Sequence, residues 1–274
     1  MLLPDIGNPF FSELLKGMEE SARRHGRAIL IGDTGAGDSS ADSYAAQLHP
    51  RTAEALILLD GKLPFAFDST ARANLLCFLV VAVSERIADV AIPVVGIDNV
   101  RAAEEVAALI AAAGHRRVAH IGGPSGNIPS GERARGFEKG AAVAGMTILG
   151  VVEGAFSATS GQDAASAILT WSERPTAVFA ANDQTAMGAI HGFKAAGLKV
   201  PDDISVVGFD DIAFSEMFEP PLTTVRHPRQ TMGRAAIDLV ASWDDGGPAL
   251  SRTTILDHQI FDRTSLGPVP FRPG

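Results

Sequence analysis

Cysteine is almost absent: Cys77 is the only one in 274 residues. One thiol can form neither a disulfide framework nor a thiolate metal cage. It sits in the apolar run LLCFLVVAV, where a free thiol acts as a small hydrophobe. Long hydrophobic runs are missing as well, since LLCFLVVAV falls far short of the roughly 20 residues that cross a bilayer. The opening MLLPDIGNPFF has neither a positive start nor a long apolar stretch, so it does not read as a signal peptide. A soluble, cytoplasmic protein that does not meet a membrane is the expectation. Positive charge is in short supply too: 23 Lys and Arg stand against 32 Asp and Glu, giving a net charge of −9. Such a surface repels phosphate backbones, so this chain by itself is not expected to hold nucleic acid.

Enzyme signatures are also wanting. No serine lies in G-x-S-x-G, and no G-x-x-x-x-G-K-[ST] loop occurs. GAGDSS (Gly35 to Ser40) lacks the third glycine of a dinucleotide fingerprint. DTGAG (Asp33 to Gly37) contains an aspartic-protease tripeptide, but after a strand in an α/β pattern it reads as a turn. The seven histidines show no metal-ligand spacing, and His115 and His120 straddle a strand, which points them at different surroundings. The expectation is no catalytic residue, no metal and no cofactor.

What the chain does have is alternation. ALILL (Ala55 to Leu59), PVVGI (Pro93 to Ile97), RVAHI (Arg117 to Ile121), AVFA (Ala177 to Ala180) and ISVVGF (Ile204 to Phe209) read as buried parallel strands. Between them run FFSELLKGMEESARRHG, VRAAEEVAALIAAAG, RARGFEKGAAVAG and QTAMGAIHGFKAAG, helical in period. Each ends on a glycine, at Gly26, Gly114, Gly145 and Gly197, where a helix C-cap wants a left-handed residue. The fold class is therefore α/β, with parallel sheets covered on both faces. The number of strands favours two sheets over one. The segment Lys62 to Leu79 reads less regularly than the rest, and no helix is assigned within it.

Polar and aromatic residues recur just after the strands, at the end of an open α/β sheet where ligands bind. Phe10 and Phe11 follow strand 1 and Asp60 follows ALILL. Arg133 opens the helix after RVAHIGG, and Phe156 follows TILGVV. Asn182-Asp183 follows AVFA, and Asp210-Asp211 follows ISVVGF. Each alone has a structural explanation: a helix cap for Asn182 or Asp183, turn formers for the aspartates, core packing for the phenylalanines, a solvated helix face for Arg133. Their recurrence at one end of successive strands favours a ligand site. Guanidinium and carboxylate each fork onto adjacent hydroxyls, an amide offers donor and acceptor together, and phenylalanine stacks on a sugar face or a base. With no nucleophile–base pair among them, the set binds without reacting. Adjacent Asp210 and Asp211 should point in different directions.

GHRRVAHIGGP, ERARGF, RPTAVFAANDQTAMGAI, VPDDISVVGFDDIAFSEMFEPPLTTVRHP and NPFFSELLKGMEE together resemble the LacI/GalR family of bacterial transcription regulators, from Leu2 to about Arg263. The resemblance implies a core like the type I periplasmic binding proteins. That core has two Rossmann-like lobes, each a parallel sheet with helices on both faces, joined by three crossover strands, with a small-molecule effector in the cleft. The first lobe would take residues 1–97 and 227–256, the second 98–226 and 257–268. By the same resemblance Phe10 and Phe11, Arg133, Phe156, Asn182 and Asp210 match effector-contacting positions. Within the family, VSERI and GPSGNIPSGER look closer to the cytidine-repressor branch than to the lactose branch, which points to a nucleoside. Family members begin with a helix-turn-helix and a hinge helix that this chain does not contain. Operator DNA would then be reached only through that missing headpiece, in a homodimer. VRAAEEVAALIAAAG and the run after Lys62 carry enough apolar surface for a partner face or for core. A periplasmic-type solute-binding protein is the alternative with the same fold, and a nucleoside- or sugar-modifying enzyme using Asp210-Asp211 is the more distant one.

Overall fold

The computed structural model describes residues 1–35, 44, 53–63, 79–244 and 253–270. Cys77, most of Lys62 to Leu79 and the GAGDSS stretch beyond Gly35 lie outside the described residues. The chain divides into two compact units, residues 1–97 with 228–257 and residues 98–227 with 258–274, so it passes from one to the other three times.

The first unit is built on a parallel sheet ordered β11-β5-β4-β3-β1-β2. Its strands are β1 (Leu2–Leu3), β2 (Gly32–Asp33), β3 (Ala55–Leu58), β4 (Leu79–Val83), β5 (Val94–Ile97) and β11 (Thr253–Leu256). LLCFLVVAV thus supplies a strand: all five residues of β4 are buried, the continuous apolar pattern of a parallel strand covered on both faces. Helices α1 (Phe10–Arg24) and α6 (Arg229–Asp244) pack against each other in this unit. They cross so closely that a methyl at Gly17 would strike the backbone of Gln230, and one at Gly233 the backbone of Leu14.

The second unit holds a parallel sheet ordered β7-β6-β8-β9, with an antiparallel β10-β12 ribbon alongside. The strands are β6 (Arg117–Ile121), β7 (Thr147–Val152), β8 (Ala177–Ala180), β9 (Ser205–Val207), β10 (Thr224–Arg226) and β12 (Gln259–Phe261). Four helices cover them: α2 (Asn99–Ala112), α3 (Ile128–Val143), α4 (Ala158–Leu169) and α5 (Asp183–Ala195). Strand alternation sends Ala119, Ile121, Val178, Ala180 and Val206 to one face, where they join Ala164, Ile168, Ala189 and Phe193 in a single apolar core. Here α4 and α5 touch backbone to backbone, Gly161 against Thr185 and Gly188 against Ala158.

The opposite face differs in chemistry. His120 on β6 stacks on Phe179 of β8, with ring centroids 5.0 Å apart. Phe179 neighbours Phe209 at 6.3 Å, and Phe209 meets His227 edge-on at 5.3 Å. Phe137 from α3 closes over Phe179 at 5.0 Å. A row of rings therefore runs across successive strands beneath α3.

The four glycine stops hold. Gly26, Gly114, Gly145 and Gly197 all have positive φ, between +65° and +95°. Two expectations are corrected, and the choice left open for the apolar face of α2 is decided. α3 begins at Ile128, not near Arg133, because Asn127 caps it through Oδ1 to the Ser130 amide (2.9 Å) and Pro129 tolerates the first turn. Arg133 therefore sits in the second turn. ISVVGF contributes only Ser205–Val207 to β9, since Asp210 and Asp211 already hold turn-like positive φ. The apolar stripe of α2, Ala102, Ala103, Val106, Ala107 and Ile110, is fully buried within this unit's own core.

Candidate functional site

Arg133, one turn into α3, is carried over the row of rings to the carboxyl ends of the strands. Its guanidinium lies 3.9 Å above the Phe209 ring. Nη1 donates to the Ala181 carbonyl (2.6 Å) and Nε to Asn99 Oδ1 (3.1 Å). Asn99 in turn donates from Nδ2 to Glu132 (3.1 Å). Asp210 Oδ1 stands 3.6 Å from Arg133 Nη1 and 3.3 Å from His227 Nε2. Both members of the Arg133–Asp210 pair are more than nine-tenths buried. A buried charge needs such a partner, because an isolated ion at this depth would neutralise instead.

Asn182, next to the Ala181 carbonyl that Arg133 grips, is the N-cap of α5. Its Oδ1 accepts from the Thr185 amide (2.9 Å), and its Nδ2 donates to the Phe156 carbonyl (3.2 Å). The sequence left the helix cap open between Asn182 and Asp183, with Asn182 also matching an effector position by resemblance. The structure assigns the cap to Asn182 and makes Asp183 a buried tie. Asp183 is fully buried and accepts from the Ile212 amide (2.9 Å), Ser215 Oγ (2.6 Å) and Thr224 Oγ1 (2.5 Å). Gly208 has no side chain because Asp183 Oδ1 occupies the place of its Cβ. Burial pushes the Asp183 carboxyl up to about 7, helped by the nearby charge of Asp210 and opposed by those three donors.

Phe156, Asp210 and Asp211 are non-glycine residues with φ of +56°, +118° and +51°. Backbone strain of this kind persists where the surroundings over-determine it, commonly at binding sites. The two aspartates do diverge: Asp211 is held by Arg226 Nε (2.5 Å) and Arg263 Nη1 (2.8 Å), a structural clamp on the β10-β12 ribbon. The histidines flanking β6 also part company. His115 reaches Thr176 Oγ1 (2.9 Å) and the Gly267 carbonyl (3.0 Å), tying down the chain end, while His120 lies in the row of rings.

The structure thus links Arg133, Asp210, Asn182 and Phe156 through Ala181 in the second unit. Phe10, Phe11 and Asp60 belong to the first. Phe10 and Phe11 pack edge-to-face at 5.2 Å, both buried at the start of α1. Asp60 Oδ2 accepts from Thr34 Oγ1 (3.0 Å) and Oδ1 from the Lys62 amide (3.3 Å). Among the described residues no group of three or more His, Cys, Asp or Glu is placed to hold a metal ion. No helix among them is long and apolar enough to cross a membrane.

The family of periplasmic binding proteins and the sugar-binding domain of the LacI family matches residues 1–264. This chain belongs to the LacI family. It is 31% identical over 272 residues to the HTH-type transcriptional repressor CytR of Escherichia coli, covering 98% of this chain and 79% of the repressor. To the HTH-type transcriptional regulator DegA of Bacillus subtilis it is 30% identical, covering 98% of this chain and 80% of that protein. Its fold matches a solved structure of the dimeric Lac repressor with an 11-residue C-terminal deletion, at a TM-score of 0.86 and 22% identity over 98% of each chain. Its relatives are transcription regulators, and the chain corresponds to the effector-binding core of such a LacI-family protein.

Sequence reasoning missed His120, His227, Asn99 and Glu132 as members of the cluster around Arg133 and Asp210. Only the position of His120 and His227 within strand motifs, in RVAHI and TTVRHP, hinted at them.

Proposed function

We propose that this LacI-family core senses a small neutral sugar or nucleoside at the carboxyl ends of its strands, through Arg133, Phe156, Asn182 and Asp210 in the second unit and Phe10, Phe11 and Asp60 in the first. The observation that carries the reading is the Arg133–Asp210 pair, buried together at 3.6 Å beside the strained Phe156 turn. At these strand ends the buried Arg133 is balanced by the carboxylate of Asp210, which favours a neutral, hydroxyl- or amide-bearing ring over a phosphate. The resemblance of VSERI and GPSGNIPSGER to the cytidine-repressor branch supports a nucleoside within that class.

The effector's role is to bias two arrangements of the core by its differential affinity for them, and so to control operator binding by a helix-turn-helix segment of the full-length protein. The regulator acts as a homodimer in the cytoplasm, carries no cofactor and turns nothing over. Sedimentation of the purified chain at micromolar concentration checks the dimer.

A thermal-shift screen tests the effector class. A ligand at a hundred times its dissociation constant adds roughly 2.7 kcal/mol of stability. Sugars or nucleosides should raise the melting temperature and their phosphate esters should not. A response confined to phosphorylated or anionic compounds contradicts the proposal, and turnover of any of them overturns the non-enzymatic reading.

A further inference from the structure

One group at the end of the second unit's sheet has no role in the site as built so far. His120 is 1% exposed, and its Nδ1 lies 3.0 Å from the Phe179 carbonyl oxygen. A carbonyl can only accept, so Nδ1 carries the proton and Nε2 bears a bare lone pair. Burial, with a lesser contribution from the charge of Arg133, pushes the imidazole down to about 4, so the ring is neutral at physiological pH. Nε2 is buried and has no hydrogen-bond partner among the described residues. Buried acceptors left bare by the protein are rare and call for an explanation.

The direction of that lone pair supplies one. Residues 120 and 122 fall on the same face of the strand and its continuation. Gly122 has no side chain, and a Cβ placed there would be 3.9 Å from His120 Nε2 and 3.8 Å from the Val152 carbonyl, with nothing nearer. Nε2 therefore faces the place where Gly122 lacks a side chain, at the carboxyl end of β6. The next residue, Gly123, lies directly under the Phe156 ring, which fills the place of its side chain. Its amide is held by Ser130 Oγ (2.8 Å), one turn before Arg133 on α3. A neutral acceptor, an aromatic face and a guanidinium are thus gathered around the Gly122-Gly123 turn.

We propose that His120 is a specificity-determining residue of the effector site, its Nε2 accepting a hydrogen bond from a hydroxyl or amino group of the effector. The proposal rests on reading these strand ends as the effector site and deepens it. A donor at this place is rewarded, whereas an oxo group would set lone pair against lone pair and leave two acceptors unsatisfied. Between nucleosides differing only there, the amino-bearing base is selected over its oxo counterpart.

The test titrates the wild-type chain and His120→Phe with cytidine against uridine, adenosine against inosine, and ribose. Phenylalanine keeps the ring in the stack and removes the acceptor. Wild type should prefer the amino member of a pair by about tenfold in Kd, and His120→Phe should bind the two members within about threefold. If ribose alone binds, His120→Phe should weaken it by about tenfold. Undiminished discrimination or affinity in the variant overturns the assignment. Two measurements on the wild type guard against a variant that fails to fold. The imidazole Nε2 resonance should move when the bound probe saturates the site, and a resonance that stays put overturns the proposal. A crystal structure of the ligand-free protein should show a water about 2.7–3.2 Å from Nε2, and a dry Nε2 overturns it. If no sugar or nucleoside binds the wild type, the effector class is what fails, and the water then decides the fate of His120.

Discussion

The two faces of the second unit's sheet are built from the same strands but to different ends. On one face Ala119, Ile121, Val178, Ala180 and Val206 meet two helices pressed together at glycines, a largely aliphatic interior. On the other, His120, Phe179, Phe209 and His227 form a row of rings under Arg133, and the charge of Arg133 is answered by Asp210. Period-2 alternation separates them: in AVFA, Val178 and Ala180 go to the first face and Phe179 to the second. The aliphatic face contributes stability through area and close contact. The ring face tolerates a buried ion pair in order to hold a guanidinium at the strand ends. One face should respond to substitutions mainly in folding, the other in folding and recognition together.

The largest effect is expected from Arg133→Ala on the ring face. It leaves Asp210 buried without its guanidinium and removes the donors to Ala181 and Asn99, costing about 3–5 kcal/mol in urea unfolding. On the aliphatic face, Gly188→Ala drives a methyl into the backbone of Ala158 and should cost about 1–3 kcal/mol, while the folded fraction keeps its ligand response. A loss of recognition at constant stability in Gly188→Ala would erase the distinction between the faces.

How much of this was legible beforehand depended on the range of the interactions. Gly26, Gly114, Gly145 and Gly197 could be read as helix stops because a C-cap is decided within one turn of chain. The division into parallel sheets followed from alternation, again a local signal. The part played by Asp183 was not legible because it finds Ser215 and Thr224 some 32 and 41 residues further on, and no local pattern announces them. His120 and His227 escaped for the same reason, since the row of rings exists only after four strands align. Arg133 was singled out from its motif, but its place in the helix was not legible, because the Asn127 cap and Pro129 set the helix start one turn earlier in GNIPSGER.

Asp183 gives a pH signature at the edge of the two faces. Its folded pKa, about 7, lies above the ordinary value of 3.8, so between those values the folded state holds a proton that the unfolded chain has released. Stability from this group is therefore complete below about pH 4 and declines as pH rises through 7. Asp183→Asn should flatten that decline. Its amide oxygen can still accept from Ile212 and Ser215, while its NH2 meets Thr224 turned to accept. Stability measured from pH 4 to 8 should fall for wild type more than for Asp183→Asn, and parallel curves would assign the titration elsewhere. The smallest change in stability is expected from the partly exposed Phe156→Ala, under about 1 kcal/mol. Its readout is affinity: loss of a stacked face should weaken effector binding about tenfold in calorimetric titration.

The most direct measurement is a crystal structure of the chain with whichever sugar or nucleoside gives the largest thermal shift. The ligand should lie within about 3 Å of both Arg133 and Asp210, with its ring against Phe156 and a donor on His120 Nε2. A ligand bound anywhere away from Arg133 and Asp210 would contradict the assignment of the ring face to recognition.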